Sequence, residues 1–130
     1  MGPGGAEASQ MQKKFEGELV SFKKLQKDLT KTTTLRSQLD GQLNENKVVK
    51  EELDLLEENA VVYKLIGPAL IKQDLEEARQ NVGKRIDYIQ QEIKRHESGM
   101  EELEKKAEEK RESISKLQQQ MQQIMLKQAQ

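Results

Sequence analysis

Between two long proline-free segments that repeat every seven residues, the stretch Asn59–Lys72 reads Asn-Ala-Val-Val-Tyr-Lys-Leu-Ile-Gly-Pro-Ala-Leu-Ile-Lys and breaks the helical rhythm. Its β-branched and aromatic content and its central Gly67-Pro68 predict two short strands joined by a tight turn. A lone hairpin of that size is marginal in water. Val61, Tyr63 and Leu65 alternate with Val62, Lys64 and Ile66, so one face is wholly apolar and the other mostly so, and two strands cannot cover both. Such faces and edges invite strands from other chains until a closed barrel removes them. Val61, Val62, Tyr63, Leu65, Ile66, Gly67, Pro68, Leu70 and Ile71 are therefore the expected assembly residues.

The segments on either side are read as coiled-coil helices, over residues 11–57 and 74–126, with the hairpin at 59–72. In the first, Phe15, Phe22, Leu29 and Leu43 fall on one heptad position and Met11, Leu25 and Leu39 on the other. Glu18, Thr32 and Arg36 interrupt this seam, and Thr30, Thr32, Thr33 and Thr34 predict a locally weaker stretch. Val49, Leu53 and Leu56 resume the spacing one residue early, as an inserted three-residue step would produce. That slip predicts a change of neighbours before the hairpin, and Gly41 is positioned to accompany it.

Asp74 followed by Glu77 has capping-box spacing and starts the second helix. Its seam runs Val82, Ile86, Ile89, Ile93, His96, Met100, Leu103, Ala107, Lys110, Ile114, Leu117, Met121 and Ile124 without a slip. His96 reads as a register-fixing residue, Lys110 as a side chain snorkelling outward, and Gly99 as a source of local flexibility. Glu101–Lys105, Glu102–Lys106 and Glu112–Lys116 are spaced for stabilising surface pairs. Each helix would extend roughly 70–75 Å at 1.5 Å per residue. Equal helices joined by a compact connector most simply fold back into one antiparallel coiled coil, which brings Phe15 and Phe22 near Leu117, Met121 and Ile124. The fold class is mainly α, with one hairpin that joins an intersubunit β-barrel.

Composition excludes other classes. Charged residues reach 35% against 34% apolar, and only Phe15, Phe22, Tyr63 and Tyr88 are aromatic, too little for an ordinary globular core. A net charge of -1 supplies no concentrated basic face for nucleic acid. Cysteine is absent and His96 is the single histidine, so no metal site is expected. No segment is apolar enough to span a bilayer, and the chain lacks a secretory signal, so a soluble cytoplasmic protein is expected. Residues 1–10 and 127–130 read as flexible tails. The charge runs are a solvated helix surface without a concave site for catalytic carboxylates, so neither an enzyme nor a cofactor is expected. Gly83-Lys84 only superficially matches a phosphate loop, since Ala78 stands for its first glycine and Arg85 for its Ser/Thr. Gly83 instead suggests close packing.

The hairpin motif, with Val48-Val49-Lys50-Glu51-Glu52-Leu53 before it and Val82-Gly83-Lys84-Arg85-Ile86-Asp87-Tyr88-Ile89 after it, resembles the beta-class prefoldin subunits. The resemblance covers most of residues 11–120, and the single hairpin distinguishes this class from alpha-class subunits, which carry two. It implies a heterohexamer of two alpha and four beta subunits whose hairpins form a double barrel. It also implies ATP-independent capture of unfolded proteins, notably actin and tubulin, and their delivery to the cytosolic chaperonin. Capture would occur at the coiled-coil tip, through Phe15, Leu19, Val20, Phe22, Met121, Ile124, Met125 and Leu126, where flexible apolar side chains can repack against varied clients. A structural coiled-coil adaptor that binds folded partners is the competing reading.

Overall fold

The computed structural model describes Pro3 to Ala129. Its elements in chain order are helix α1 (Pro3–Leu55), strand β1 (Val62–Ile66), strand β2 (Ala69–Gln73) and helix α2 (Leu75–Ala129). The expected tails at 1–10 and 127–130 lie partly outside the described residues. Where described, they are helical: α1 already runs through Pro3–Gln10 and α2 continues to Ala129. Proline is tolerated in a first helical turn, and Ala6, Glu7 and Ala8 are good helix formers.

Along α1 a seam of buried or half-buried residues runs through Met11, Phe15, Glu18, Phe22, Leu25, Leu29, Thr32, Arg36, Leu39, Leu43, Asn46, Lys50 and Leu53. They alternate by four and three without a break, so the expected slip before the hairpin is absent. Leu53 lies in the same frame as Leu43, with polar Asn46 and Lys50 completing the seam, while Val49 and Leu56 are exposed. Lys50 keeps its seam position by turning its amine to Asp54 Oδ2 at 3.3 Å. The helix also passes through the threonine cluster. Thr30 and Thr33 hydroxyls donate to the carbonyls of Gln26 and Leu29 at 3.0 and 2.8 Å, which satisfies them inside a helix.

On α2 every expected seam residue from Val82 to Ile124 is buried or half-buried. Asp74 caps the helix, accepting from the Glu77 N–H at 3.2 Å through its carboxylate. Glu76 and Glu77 in the first turn complement the positive end of the helix dipole. The surface ion pairs that close on α2 among the described residues are Glu76–Arg79, Glu92–Arg95 and Glu108–Arg111, three residues apart rather than the expected four. A Cβ at Gly83 would meet nothing within 4 Å, so the close packing expected there does not occur.

The chain forms two compact units, each built from both helices. One comprises the residues up to Thr33 with those from Ser98 onward, and the other Thr34–Glu97. In the first, Ala107 and Leu117 are buried, and Lys110 donates to Glu18 Oε1 at 3.0 Å across the helices. Lys110 therefore points into the seam rather than snorkelling outward. The Arg111 guanidinium sits 5.5 Å from the Phe22 ring centroid. In the second unit, Leu53, Leu75 and Ala78 form a buried cluster with Val62 and Val82 against it, and Ile86, Ile89 and Ile93 are buried further along. Arg36 Nε donates to Glu97 Oε1 at 3.2 Å, and Arg79 reaches Leu53. Leu53 meets Arg79 while Arg36 meets Glu97 in the second unit, and Ala8 and Gln12 lie beside Met121 to Gln128 while Glu18 meets Lys110 in the first, so within each unit the helix segments are antiparallel.

Candidate functional site

The hairpin is antiparallel, in the register Val62↔Gln73, Tyr63↔Lys72, Lys64↔Ile71, Leu65↔Leu70 and Ile66↔Ala69. Gly67 and Pro68 alone make the turn. Gly67 has φ +56°, while proline fixes its own φ near −65°. A positive first and a negative second residue define a type II′ turn, whose twist matches paired strands. The register places Tyr63, Leu65, Leu70 and Lys72 on one face, and Val62, Lys64, Ile66, Ala69, Ile71 and Gln73 on the other.

Only the base of this ribbon touches the helices. Val62 is half-buried on the Leu53, Leu75 and Ala78 cluster. Val61, Tyr63, Leu65, Ile66, Leu70 and Ile71 are all at least half-exposed, with Leu65 at 68%. A groove under the ribbon is lined by Val49, Leu53, Val62, Tyr63, Leu65 and Val82. Aliphatic side chains exposed on both faces of a two-stranded ribbon are an unmet demand for burial.

Arg79, which the sequence did not single out, fixes the point where the chain leaves α1. Its Nε and Nη2 donate to the Leu53 carbonyl at 3.1 and 3.0 Å, and Nη2 also donates to the Leu56 carbonyl at 3.1 Å. Helix α1 has no glycine after its last turn, so these carbonyls lack the usual left-handed cap. A guanidinium from the first turns of α2 replaces that cap and opposes the negative end of the dipole. The signal in the sequence was the missing C-terminal glycine.

The residues expected at the tip all lie in the unit containing both chain ends. Phe15, Leu19, Phe22, Met121 and Ile124 are half-buried, with the heptad residues Phe15, Phe22, Met121 and Ile124 on the seam, while Val20, Met125 and Leu126 are exposed. Met121, Ile124 and Met125 line a shallow apolar groove with Ala8, Gln12 and Gln128. Ala8 was missed because its segment read as tail. The groove residues divide the expected set, since Phe15, Phe22, Val20 and Leu126 do not line it.

The cross-helix ion pair beside this region has a shifted acid. The Lys110 ammonium, by donating to Glu18, holds that carboxyl below its ordinary range, against the opposing effect of burial and with help from Ser113. Contact with Glu97 likewise raises the Arg36 guanidinium above its usual value. These charges lie among helix side chains and are aimed at each other. Among the described residues no group of His, Cys, Asp and Glu is arranged to hold a metal ion, and no helix is long and apolar enough to cross a membrane.

A family profile described as "Prefoldin subunit" matches residues 16–129. Prefoldin subunit 6 of mouse is 52% identical over 115 residues, covering 88% of this chain and 91% of the mouse protein. The human protein of that name is 52% identical, with 88% and 89% covered, and that of Arabidopsis thaliana 51% identical, with 88% of each covered. Among solved structures, the prefoldin beta subunit from Thermococcus strain KS-1 superposes with a TM-score of 0.74 at 21% identity, covering 79% of this chain and 90% of that one. That likeness concerns the fold, with its paired helices and single hairpin. With a profile spanning nearly the whole chain and half of all aligned residues identical to subunit 6 relatives, the chain belongs to the prefoldin subunit family.

Proposed function

We propose that this chain is a beta-class subunit of a heterohexameric, ATP-independent co-chaperone, which assembles through its hairpin and holds unfolded polypeptides at the ends of its helices. Prefoldin subunits are chaperones that work as oligomers with other prefoldin subunits, and the hairpin is the element suited to that oligomerisation. The observation that carries the reading is a ribbon with correct turn and register whose aliphatic side chains beyond Val62 stay exposed among the described residues. Strands from neighbouring subunits extending both edges would satisfy the free backbone groups and bury both faces.

Clients of the actin and tubulin type, on their way to the cytosolic chaperonin, would meet Val20, Met125 and Leu126. These are exposed and adaptable, and the groove of Met121 and Ile124 adjoins Met125. Several weak tips acting on one chain gain strength through effective concentration. The working location in this reading is the cytoplasm.

The test is a full-length triple variant, Val20→Ser, Met125→Ser and Leu126→Ser, incorporated into the hexamer. Because these side chains are exposed, helix content and assembly should be retained, while suppression of denatured actin aggregation falls severalfold. Suppression equal to that of the unmodified complex would rule out these residues as the client site and favour an adaptor role.

A further inference from the structure

The last turns of α1 carry Val48, Val49 and Leu55, and Leu56 follows directly after the helix; all four are exposed, Leu55 at 85%. With Leu43, Lys50 and Leu53 on the seam, Val48 and Leu55 take the outermost heptad position and turn away from α2, while Val49 and Leu56 flank the seam and are less exposed, Val49 edging a groove that Val82 of α2 also lines. Glu52 stands between the two pairs, giving the face i, i+1, i+4, i+7, i+8. It is exposed and makes no ion pair among the described residues. An aliphatic ridge with one unpaired carboxylate at its centre is the pattern of a helix face that meets another helix, in which a single buried charge selects partner and register.

The size and position of the ridge define its occupant. Two turns extend only about 12 Å, far short of the roughly 1,200–2,000 Å² that a free-standing interface buries. The ridge is, however, continuous with the hairpin: Val49 lines the same groove as Val62, Tyr63 and Leu65, and Arg79 pins the Leu56 carbonyl at the start of the connection. A chain already held at the hairpin would meet it at high effective concentration, where so small a patch suffices.

We infer that this ridge is the second part of the subunit interface, occupied by the basal helix of the neighbouring prefoldin subunit, which presents aliphatic side chains around a lysine or arginine opposite Glu52. The inference rests on assembly through the hairpin and adds a helical contact that sets which subunit is accepted there.

Three full-length proteins, Val48→Gln with Leu55→Gln, Glu52→Lys, and the hairpin variant Leu65→Ser with Leu70→Ser, are titrated into the remaining prefoldin subunits, and incorporation is followed by native mass spectrometry. Circular dichroism of each isolated chain checks that the helices persist. The ridge variants should incorporate at least about tenfold more weakly, the order expected for loss of a central interface contact. Glu52→Lys should also favour a different neighbour, or none. If the hairpin variant fails to assemble while both ridge variants incorporate normally, the ridge inference is wrong and the hairpin reading stands. If all three incorporate normally, both are wrong. A dimer of the isolated chain that is abolished by the Val48/Leu55 variant would place a second copy on the ridge and overturn the assignment to a neighbouring subunit.

Discussion

At the scale of single residues, two of the polar positions that interrupt the α1 seam, Glu18 and Arg36, turn out to be cross-links to α2. Glu18 pairs with Lys110, and Arg36 bonds Glu97 and, at 2.8 Å, Asp40. Each interruption was visible in the sequence, but its partner was not, because a pair becomes legible only once the register of two antiparallel helices is known. Lys110 was misread for that reason: alone it should turn to water, and opposite a half-buried carboxylate it turns inward. Its effect on Glu18 makes a pH prediction. A carboxyl held below its unfolded value contributes stability that is full above the ordinary 4.5 and lost as pH falls through the lower folded value. Carbon-detected NMR titration should therefore place the Glu18 midpoint below 4.5, and Lys110→Ala should raise it. An unchanged midpoint in that variant would remove the pair as the cause.

At the scale of elements, the second helix and the hairpin were readable and the end of the first helix was not. An unbroken seam and a capping aspartate specify α2 by local rules. Alternating apolar residues around Gly67-Pro68 likewise specify a two-residue turn, which requires φ +56° at Gly67. Gly67→Ala should cost about 1–2 kcal/mol from backbone strain alone, since an added Cβ meets nothing within 4 Å. Faster amide exchange over β1 and β2 would report it, and unaltered protection would contradict it. Near Val49 the pattern misled because aliphatic residues normally mark a seam, whereas here Asn46 and Lys50 hold the seam and the aliphatic residues lie outside it. The excess of apolar residues suggests a shift in frame, whereas Val49 and Leu56 are exposed beside an unbroken seam. Arg79 bridges those elements. Arg79→Ala should destabilise the chain by about 1–2 kcal/mol through loss of charged hydrogen bonds to two carbonyls, measured by urea unfolding, with Arg79→Lys recovering only part. Full stability in Arg79→Ala would show that water caps α1 equally well.

At the scale of the whole molecule, the chain reads as one part of a larger object. Its long helices pack along their own seams, and the hairpin leaves most of its apolar side chains exposed, so the proposed assembly would complete a surface that folding of the chain leaves open. The sequence made that division legible because a two-stranded ribbon with two apolar faces is untenable alone, whereas a seam with charged interruptions can still close within one chain. It could not specify which surfaces beyond the ribbon a neighbour covers, since that depends on residues of other chains. The central claim, assembly through the hairpin, is tested most directly by the native mass of complexes formed from the remaining prefoldin subunits with this chain or its Tyr63→Ser, Leu65→Ser, Leu70→Ser variant. All three side chains are exposed on one face, so the variant should keep its helices in isolation. A heterohexamer containing the unmodified chain and no incorporation of the variant are expected; a hexamer that takes up the variant as readily would contradict assembly through the hairpin.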